Sequence, residues 1–416
     1  MSTNKNNAFL FDIDGVIYRG GKVLPMARTA LLKIYDQNLS KFTHPVCFLT
    51  NGDDSTCKEK AEKLTNMLIN PDNNEKDLII PESSIILANT PIKTQQSVHE
   101  KFTLVLGCPS RVPGSFERQL DDIGITNYIT VDQIHEKMPY LNPWSKNKSS
   151  GYEKPKENGE NQNQNILFPK IEQILIIGLC QNWNLNLRIL LDCLFTDGDF
   201  WQRHDNNYHE TNGVRNYENN KTNLPLYVCN LDLEYVDSAP GPRFSNGSFI
   251  LCLETLYEKT TGKKLIISDI CGKPSEMTYK YAIEKLKEQQ EQIIQDSISD
   301  EKSESTSNKG KIPHLQIYGI GDNVQSDIMG ANMAKKFENF KSILLCTGCY
   351  LKPNNNLTFD EMNELQFREN LAKSVNINHA PSFLLERDLS DRDNCWKLYI
   401  PDMIFDDVLQ FMENIF

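Results

Sequence analysis

Asp12 and Asp14 stand two residues apart in Phe11-Asp-Ile-Asp-Gly-Val16, directly after the apolar residues 8–11. Apolar residues leading into carboxylates and then glycine read as a buried strand that ends in a tight turn. In an open α/β sheet, ligands bind at the carboxyl ends of the strands. Two carboxylates there can hold a divalent cation, attack an electrophile and move a proton. That is the chemistry of phosphoryl transfer through an aspartyl-phosphate. Taken alone, D-x-D-G is as readily an acidic surface turn; three segments downstream weigh against that.

Asp12 is placed to attack phosphorus, because an ionised carboxylate is a nucleophile without activation. Asp14 can protonate the leaving oxygen and later take a proton from water. Thr50 ends a second strand, where its hydroxyl can donate to a phosphate oxygen, and the amides of Asn51 and Gly52 suit an anion-binding turn. In Cys271-Gly-Lys-Pro274, Lys273 would neutralise both a phosphate and Asp12, and Pro274 suits the first position of a helix. The last segment is Gly319-Ile-Gly-Asp-Asn-Val-Gln-Ser-Asp327. Its Asp322 supplies a further oxygen ligand for Mg²⁺, with Asp12 and the Asp14 carbonyl completing the protein's share. Asn323 and Asp327 stand behind these ligands. Asp327 is placed to orient Lys273 or a bound water, with a helix cap as the alternative.

Strands and helices must bring these segments together. Residues 8–11 and 45–49 read as strands, and residues 27–35 as helical. A helix after residue 55 opens with Thr56 and Glu59 spaced as a capping box, with Leu64, Met67 and Leu68 on one face. Such alternation means a parallel sheet. Residues 103–107, 175–178 and 226–229 read as strands of a second unit, with helices near 116–122 and 185–194. The helix expected over 249–257 offers Leu251, Leu253 and Leu256 to a core. Residues 317–319 and 342–345 read as returning strands around a short helix at 327–334, and the tail at 404–416 carries an apolar helical face. Three polar stretches, near 142–165, 202–223 and 287–311, read as disordered inserts. The resulting domains are a first core part at 1–85, an α/β insert at 86–246 and a second core part at 247–416.

The chain has 416 residues and a formal net charge of −12, which argues against a polyanion-binding face and so against nucleic acid. No apolar run is long enough to span a bilayer, and residues 1–7 carry neither a secretory signal nor an Arg-rich transit pattern. The eleven cysteines are scattered, with Cys47, Cys180, Cys229 and Cys252 in apolar runs, the habit of reduced intracellular thiols. Cys346 and Cys349 have C-x-x-C spacing without a second pair, and read as a strand end and turn.

The four segments, in order, resemble the four motifs of the haloacid dehalogenase (HAD) superfamily. Thr50 and Lys273 lie 223 residues apart with an α/β-patterned segment between them, which resembles the class with a large cap inserted there, the NagD-like and p-nitrophenylphosphatase-like enzymes. Within it the chain is most similar to the cat-eye-syndrome critical region hydrolases, a mitochondrial-type group. Residues 11–20, 48–52, 124–141, 227–234, 243–257, 272–281 and 319–331 carry the resemblance.

The resemblance implies a Rossmann-like parallel-sheet core with an α/β cap, and Mg²⁺-dependent hydrolysis of a phosphate monoester. Asp12, Asp14, Thr50, Lys273 and Asp322 take the roles argued above. A carboxylate at Asp14 favours phosphatases over the superfamily's dehalogenases and pumps. The group continues after Thr50-Asn-Gly52 with glycine, where this chain has Asp53 and Asp54, which would oppose phosphate unless turned outward. Asn230-Leu-Asp232 matches an Asn-x-Asp segment of the group's cap. The implied substrate is a small phosphorylated metabolite, with a lipid head-group phosphate as one alternative and a non-catalytic binding protein as another. The implied location is the mitochondrion, with the cytoplasm as the alternative, and a homodimer is left open.

Overall fold

The computed structural model describes residues 6–52, 55–69, 78–107, 114–142, 168–200, 224–235, 243–300, 314–350 and 395–416. The inserts expected near 142–165 and 202–223 lie, apart from residue 142, outside them. Eleven strands build two parallel sheets. In chain order they are β1 (Asn7–Asp12), β2 (Val46–Thr50), β3 (Ile85–Leu87), β4 (Thr103–Leu106), β5 (Tyr128–Thr130), β6 (Gln173–Ile176), β7 (Leu226–Cys229), β8 (Asp269–Cys271), β9 (Gln316–Gly321), β10 (Asn339–Leu345) and β11 (Met403–Phe405).

One unit comprises Met1–Pro91, Val236–Gly241 and Gly272–Phe416. Its sheet runs β11-β10-β9-β1-β2-β3, all parallel. Every residue of β1 is buried, as a central strand covered on both faces requires. Phe9 and Phe11 face one layer, with Phe48, Tyr318 and Phe411. Ala8 and Leu10 face the other, with Tyr279, Ala282 and Leu286. From β1 the chain moves outward to β2 and β3, then returns on the opposite side as β9, β10 and β11. The topological switch therefore falls between β1 and β9, where the carboxyl ends leave a crevice. Phe11 pairs with Ile320 and Asp12 with Leu49, so Asp12, Thr50 and Asp322 emerge at adjacent strand ends.

Among the described residues, five helices flank this sheet: Ala27–Leu32, α1 (Cys57–Met67), α2 (Glu276–Asp300), α3 (Met329–Ala334) and α4 (Val408–Ile415). The capping box of α1 forms as read: Thr56 Oγ1 accepts from the Glu59 amide at 3.2 Å, and Glu59 Oε2 from the Thr56 amide at 2.9 Å. Asp407 caps α4, and Phe411 reaches Tyr318 with ring centroids 5.5 Å apart, so the tail packs on β9 as expected.

The disordered insert expected from residue 287 needs correction. Helix α2 continues through that stretch to Asp300, and only residues 301–313 lie outside the described ones. Its polar residues are mostly Glu, Gln and Lys, straight-chain types that favour helix regardless of burial. Gln290 is buried, and Gln289 Oε1 accepts from the backbone amide of Val46 at 2.8 Å.

The other unit comprises Ile92–Tyr235 and Pro242–Cys271. Its parallel sheet runs β8-β7-β6-β4-β5. It extends to Cys271, beyond the boundary read at 246, because the helix Asn246–Thr261 and strand β8 complete it. That helix buries Phe249, Ile250, Leu253 and Tyr257, whereas Leu251 is half-buried and Leu256 exposed, contrary to the expected face. Aromatic packing decides this: Trp183 stands edge-on to Phe249 at 5.6 Å, and Phe195 stacks on Tyr257 at 6.0 Å.

If Gln289 anchors α2 to β2, Gln289→Ala leaves the Val46 amide unpaired and costs about 1–3 kcal/mol. Urea unfolding measures this; an unchanged midpoint and slope would show that α2 contributes nothing there.

Candidate active site

Asp12 ends β1 with its side chain 6% exposed. After Ile13 the backbone turns sharply. Ile13 O accepts from the amides of Ile17 and Tyr18, and the Gly15 amide donates to Tyr18 O at 2.8 Å. Gly15 has φ +86°, in the left-handed region that glycine enters without strain. A Cβ on Gly15 would also overlap the Asp322 carboxylate. Asp14, on the outside of this turn, is exposed. One strand end thus presents a buried and a solvated carboxylate, environments that suit different tasks.

Lys273 lies on the loop between β8 and α2, 5% exposed, with Nζ 2.5 Å from Asp12 Oδ1 and 2.6 Å from Asp327 Oδ1. Asn51 fixes the loop. Its Oδ1 accepts from the Lys273 amide at 2.7 Å and its Nδ2 donates to the Lys273 carbonyl at 3.1 Å. The Asn51 side chain, expected beside a substrate, is therefore committed to the backbone of Lys273. Pro274 is not the first helical residue; α2 begins at Glu276, and Ser275 Oγ accepts from the Thr278 amide. Thr50 Oγ1 donates to Asp14 Oδ2 at 3.3 Å and accepts from the Gly52 amide at 3.0 Å, so one hydroxyl joins the second strand end to Asp14.

Asp322 precedes, and Asp327 lies within, a single π-helical turn, Val324–Ile328, capped by Asn323. Asp327 Oδ1 takes the Lys273 ammonium, while Oδ2 accepts from the amides of Asp322 at 3.1 Å and Asn323 at 3.0 Å. Of the roles read for Asp327, the structure shows the contact with Lys273, while the helix cap falls to Asn323. A Cβ on Gly321 would overlap it.

Two participants escaped the sequence reading. The Cys349 amide donates to Asp322 Oδ2 at 2.5 Å, and Thr347 Oγ1 to the Gly15 carbonyl at 2.5 Å. The Tyr350 amide reaches the Asp322 carbonyl at 3.1 Å. Residues 347–350 thus close over Asp322, and a Cβ on Gly348 would collide with its Oδ2. The signal available was Thr-Gly directly after an apolar strand. The C-x-x-C spacing is a strand end and turn, as expected, and neither cysteine forms a disulfide.

Burial drives the electrostatics. It raises the Asp12 carboxyl well above the usual range; Lys273 opposes this, while Asp327, Asp322 and Asp14 add to it. Burial would lower Lys273, but Asp12 and Asp327 outweigh it and keep the ammonium charged. Asp322 is pushed up to about 6, by burial first and Asp327 next, against the Cys349 amide. Carboxylate oxygens of Asp12, Asp322 and Asp327 lie within 4.8 Å of one another. Three such charges against one ammonium leave two net negative charges, which a divalent cation would balance. The donors are hard oxygens, as Mg²⁺ prefers. Both Asp327 oxygens are engaged, which leaves Asp12 and Asp322 as the carboxylates of the cluster that could take a cation.

Comparison with known proteins agrees with this geometry. A haloacid dehalogenase-like hydrolase family model matches residues 9–126, and a HAD-hydrolase-like model matches residues 270–358. A mitochondrial hydrolase of Saccharomyces cerevisiae is 26% identical over 352 residues, 84% of this chain and 89% of that one. A cardiolipin synthase (CMP-forming)/mitochondrial hydrolase fusion protein of Schizosaccharomyces pombe is 24% identical; the match covers 83% of this chain and 49% of that relative. Among solved structures, a p-nitrophenyl phosphatase from Archaeoglobus fulgidus superposes with a TM-score of 0.50 at 15% identity, covering 99% of both chains. A hypothetical protein from Pyrococcus horikoshii does so with a TM-score of 0.50 at 16% identity, covering 99% of this chain and 100% of that one. At that identity the likeness is one of fold.

A carboxyl whose native pKa lies above its unfolded value contributes stability that is present at low pH and is lost as pH rises through the native pKa. Without divalent cations, wild type should lose stability as pH rises from about 4 through about 6, and Asp322→Asn should lose less. Thermal melts in EDTA across that range test this; identical pH profiles for the two proteins would refute it. Gly348→Ala should displace Asp322 and abolish any stabilisation by added divalent cation, which melts with and without the ion would show.

Proposed function

We propose that this chain, which belongs to the haloacid dehalogenase-like hydrolases, cleaves phosphate monoesters through an aspartyl-phosphate on Asp12. The observation that supports it best is the pairing of buried Asp12 with Lys273 while Asp14, two residues on, stays exposed.

Lys273 occupies Asp12 Oδ1, and among the described residues no hydrogen bond falls on Oδ2, the oxygen assigned to attack phosphorus. Asp14 donates a proton to the departing alkoxide as the phosphorus–oxygen bond breaks. It then takes a proton from the water that hydrolyses the phosphoenzyme, which restores Asp12 and releases phosphate. The Thr50 hydroxyl and the Asn51–Gly52 backbone hold phosphoryl oxygens, and Lys273 offsets their charge. Asp12, Asp322 and the Asp14 carbonyl would hold Mg²⁺, which would supply the positive charge that lets one anion approach another. Asn323 and Asp327 keep that loop in place.

A small phosphorylated metabolite is the first reading of the substrate. A phospholipid head-group phosphate is the second, favoured by the fission-yeast relative that joins a hydrolase to a cardiolipin synthase. No described helix is long and apolar enough to cross a membrane. The names of both relatives support a mitochondrial location.

With Mg²⁺ and an aryl phosphate, wild type should turn over and Asp12→Asn should fall by at least about 10³-fold. Equal activity in both would remove Asp12 as the nucleophile. A panel of sugar phosphates, nucleotides, phosphoglycolate and short-chain phosphatidylglycerophosphate separates the two substrate readings. A chain that turns over none of these would be a binding protein on this fold.

A further inference from the structure

Lys60 sits in the first turn of α1, its amide bonded to the Thr56 carbonyl at 3.0 Å, and it is 2% exposed. Lysine is almost never buried to this extent without negative charge nearby. Ala61 and Leu64 of the same helix are buried in the apolar layer under β1 and β2. The Lys60 side chain instead reaches the turn that follows β2. The position that a Cβ would take on Gly52 lies 3.5 Å from Lys60 Nζ, 3.3 Å from Thr50 Oγ1 and 4.0 Å from Asp14 Oδ2. Three polar groups from three segments converge there, and only the missing side chain of Gly52 leaves the point open.

An apolar residue at position 60 would fill the same space without the desolvation cost of a buried ion. A stability role therefore does not account for a lysine. Lys273 serves the Asp12 side of the site, with its Nζ held by Asp12 and Asp327. The Thr50–Gly52 side has its own need for positive charge, because the sequence follows Gly52 with Asp53 and Asp54.

We propose that Lys60 is a second fixed cation of the phosphate site, acting on the Thr50–Gly52 turn as Lys273 acts on Asp12. Its charge strengthens the turn's hold on a phosphoryl dianion. Being buried, Lys60 is a positioning residue: it acts through the turn and leaves the bond-breaking groups alone. This rests on the phosphate-site reading above.

The test is calorimetric titration of inorganic phosphate, with Mg²⁺, into the full chain and into Lys60→Met, Lys60→Gln and Lys60→Arg. Loss of one fixed charge at this range should weaken phosphate binding about tenfold in the two neutral variants. KM for an aryl phosphate should rise by a similar factor while kcat changes less than about threefold, and Lys60→Arg should stay within about threefold of wild type. Lys60→Gln, polar and close in length, serves if Lys60→Met does not fold. A lysine that only supports α1 would lower the thermal midpoint of the neutral variants and leave phosphate affinity within about twofold, which overturns the proposal. Wild type that binds no phosphate overturns the site reading itself, and Lys60 with it, before any variant is made.

Discussion

The Lys273 ammonium, enclosed by the carboxylates of Asp12 and Asp327, is the contact on which this unit's other polar arrangements depend. An ion cluster at such depth is a poor way to stabilise a fold, since desolvation costs several kcal/mol per ion and apolar side chains would pack as well. Removing one partner is worse, because it strands a buried charge. The surrounding polar groups each prevent that. Asn51 grips the Lys273 backbone from one strand end. Thr278 Oγ1 accepts from the Gly272 amide at 2.7 Å, and the Tyr279 hydroxyl donates to the Asp327 carbonyl at 3.1 Å. Four distant parts of the sequence are thus held to one ion cluster.

The cluster also explains the glycines. Gly15, Gly321 and Gly348 stand where a Cβ would enter the Asp322 or Asp327 carboxylates. Backbone packed directly on a carboxylate brings amides such as that of Cys349 within bonding distance and keeps water out. That exclusion raises the Asp12 and Asp322 pKa values, so a cation held there would have to displace protons. Glycine placement and acidity are consequences of one packing choice.

What could be read from the sequence was what local rules control. The apolar run before Asp12, the capping box at Thr56 and Glu59, and the strand before Asp322 are set by their own residues, and the fold follows them. The Thr347–Tyr350 segment was unreadable for a different reason. Its backbone does the bonding, and backbone amides leave no mark in a sequence. Lys60 was passed over because helical spacing assigns it no special face, and its approach to the Gly52 turn shows only in three dimensions. Residues 287–300 misled through composition: polar character was read as disorder, although straight-chain polar residues form helix well and Gln289 found a partner on β2. On the helix Asn246–Thr261, leucine spacing pointed to Leu251 and Leu256, while Trp183 and Phe195 from another helix selected Phe249 and Tyr257. Long-range aromatic contacts overrode local pattern there.

The separation between Asp12 and Asp14 follows from where β1 stops. Alternation along a strand sends residues 12 and 14 to the same side, so an unbroken strand would bury both. Two buried carboxylates side by side could not both ionise, and neither would exchange protons readily with solvent. Strand β1 ends at Asp12, and Gly15, with φ +86°, lies in the turn where the Ile17 and Tyr18 amides fold back onto Ile13. Asp12 therefore stays within the sheet against Lys273, while Asp14 swings out to the Thr50 hydroxyl and solvent. A nucleophile needs the first environment, where charge is fixed and water is scarce. An acid–base group needs the second, where protons arrive and leave. Two identical side chains acquire different environments from a turn that only glycine enters without strain.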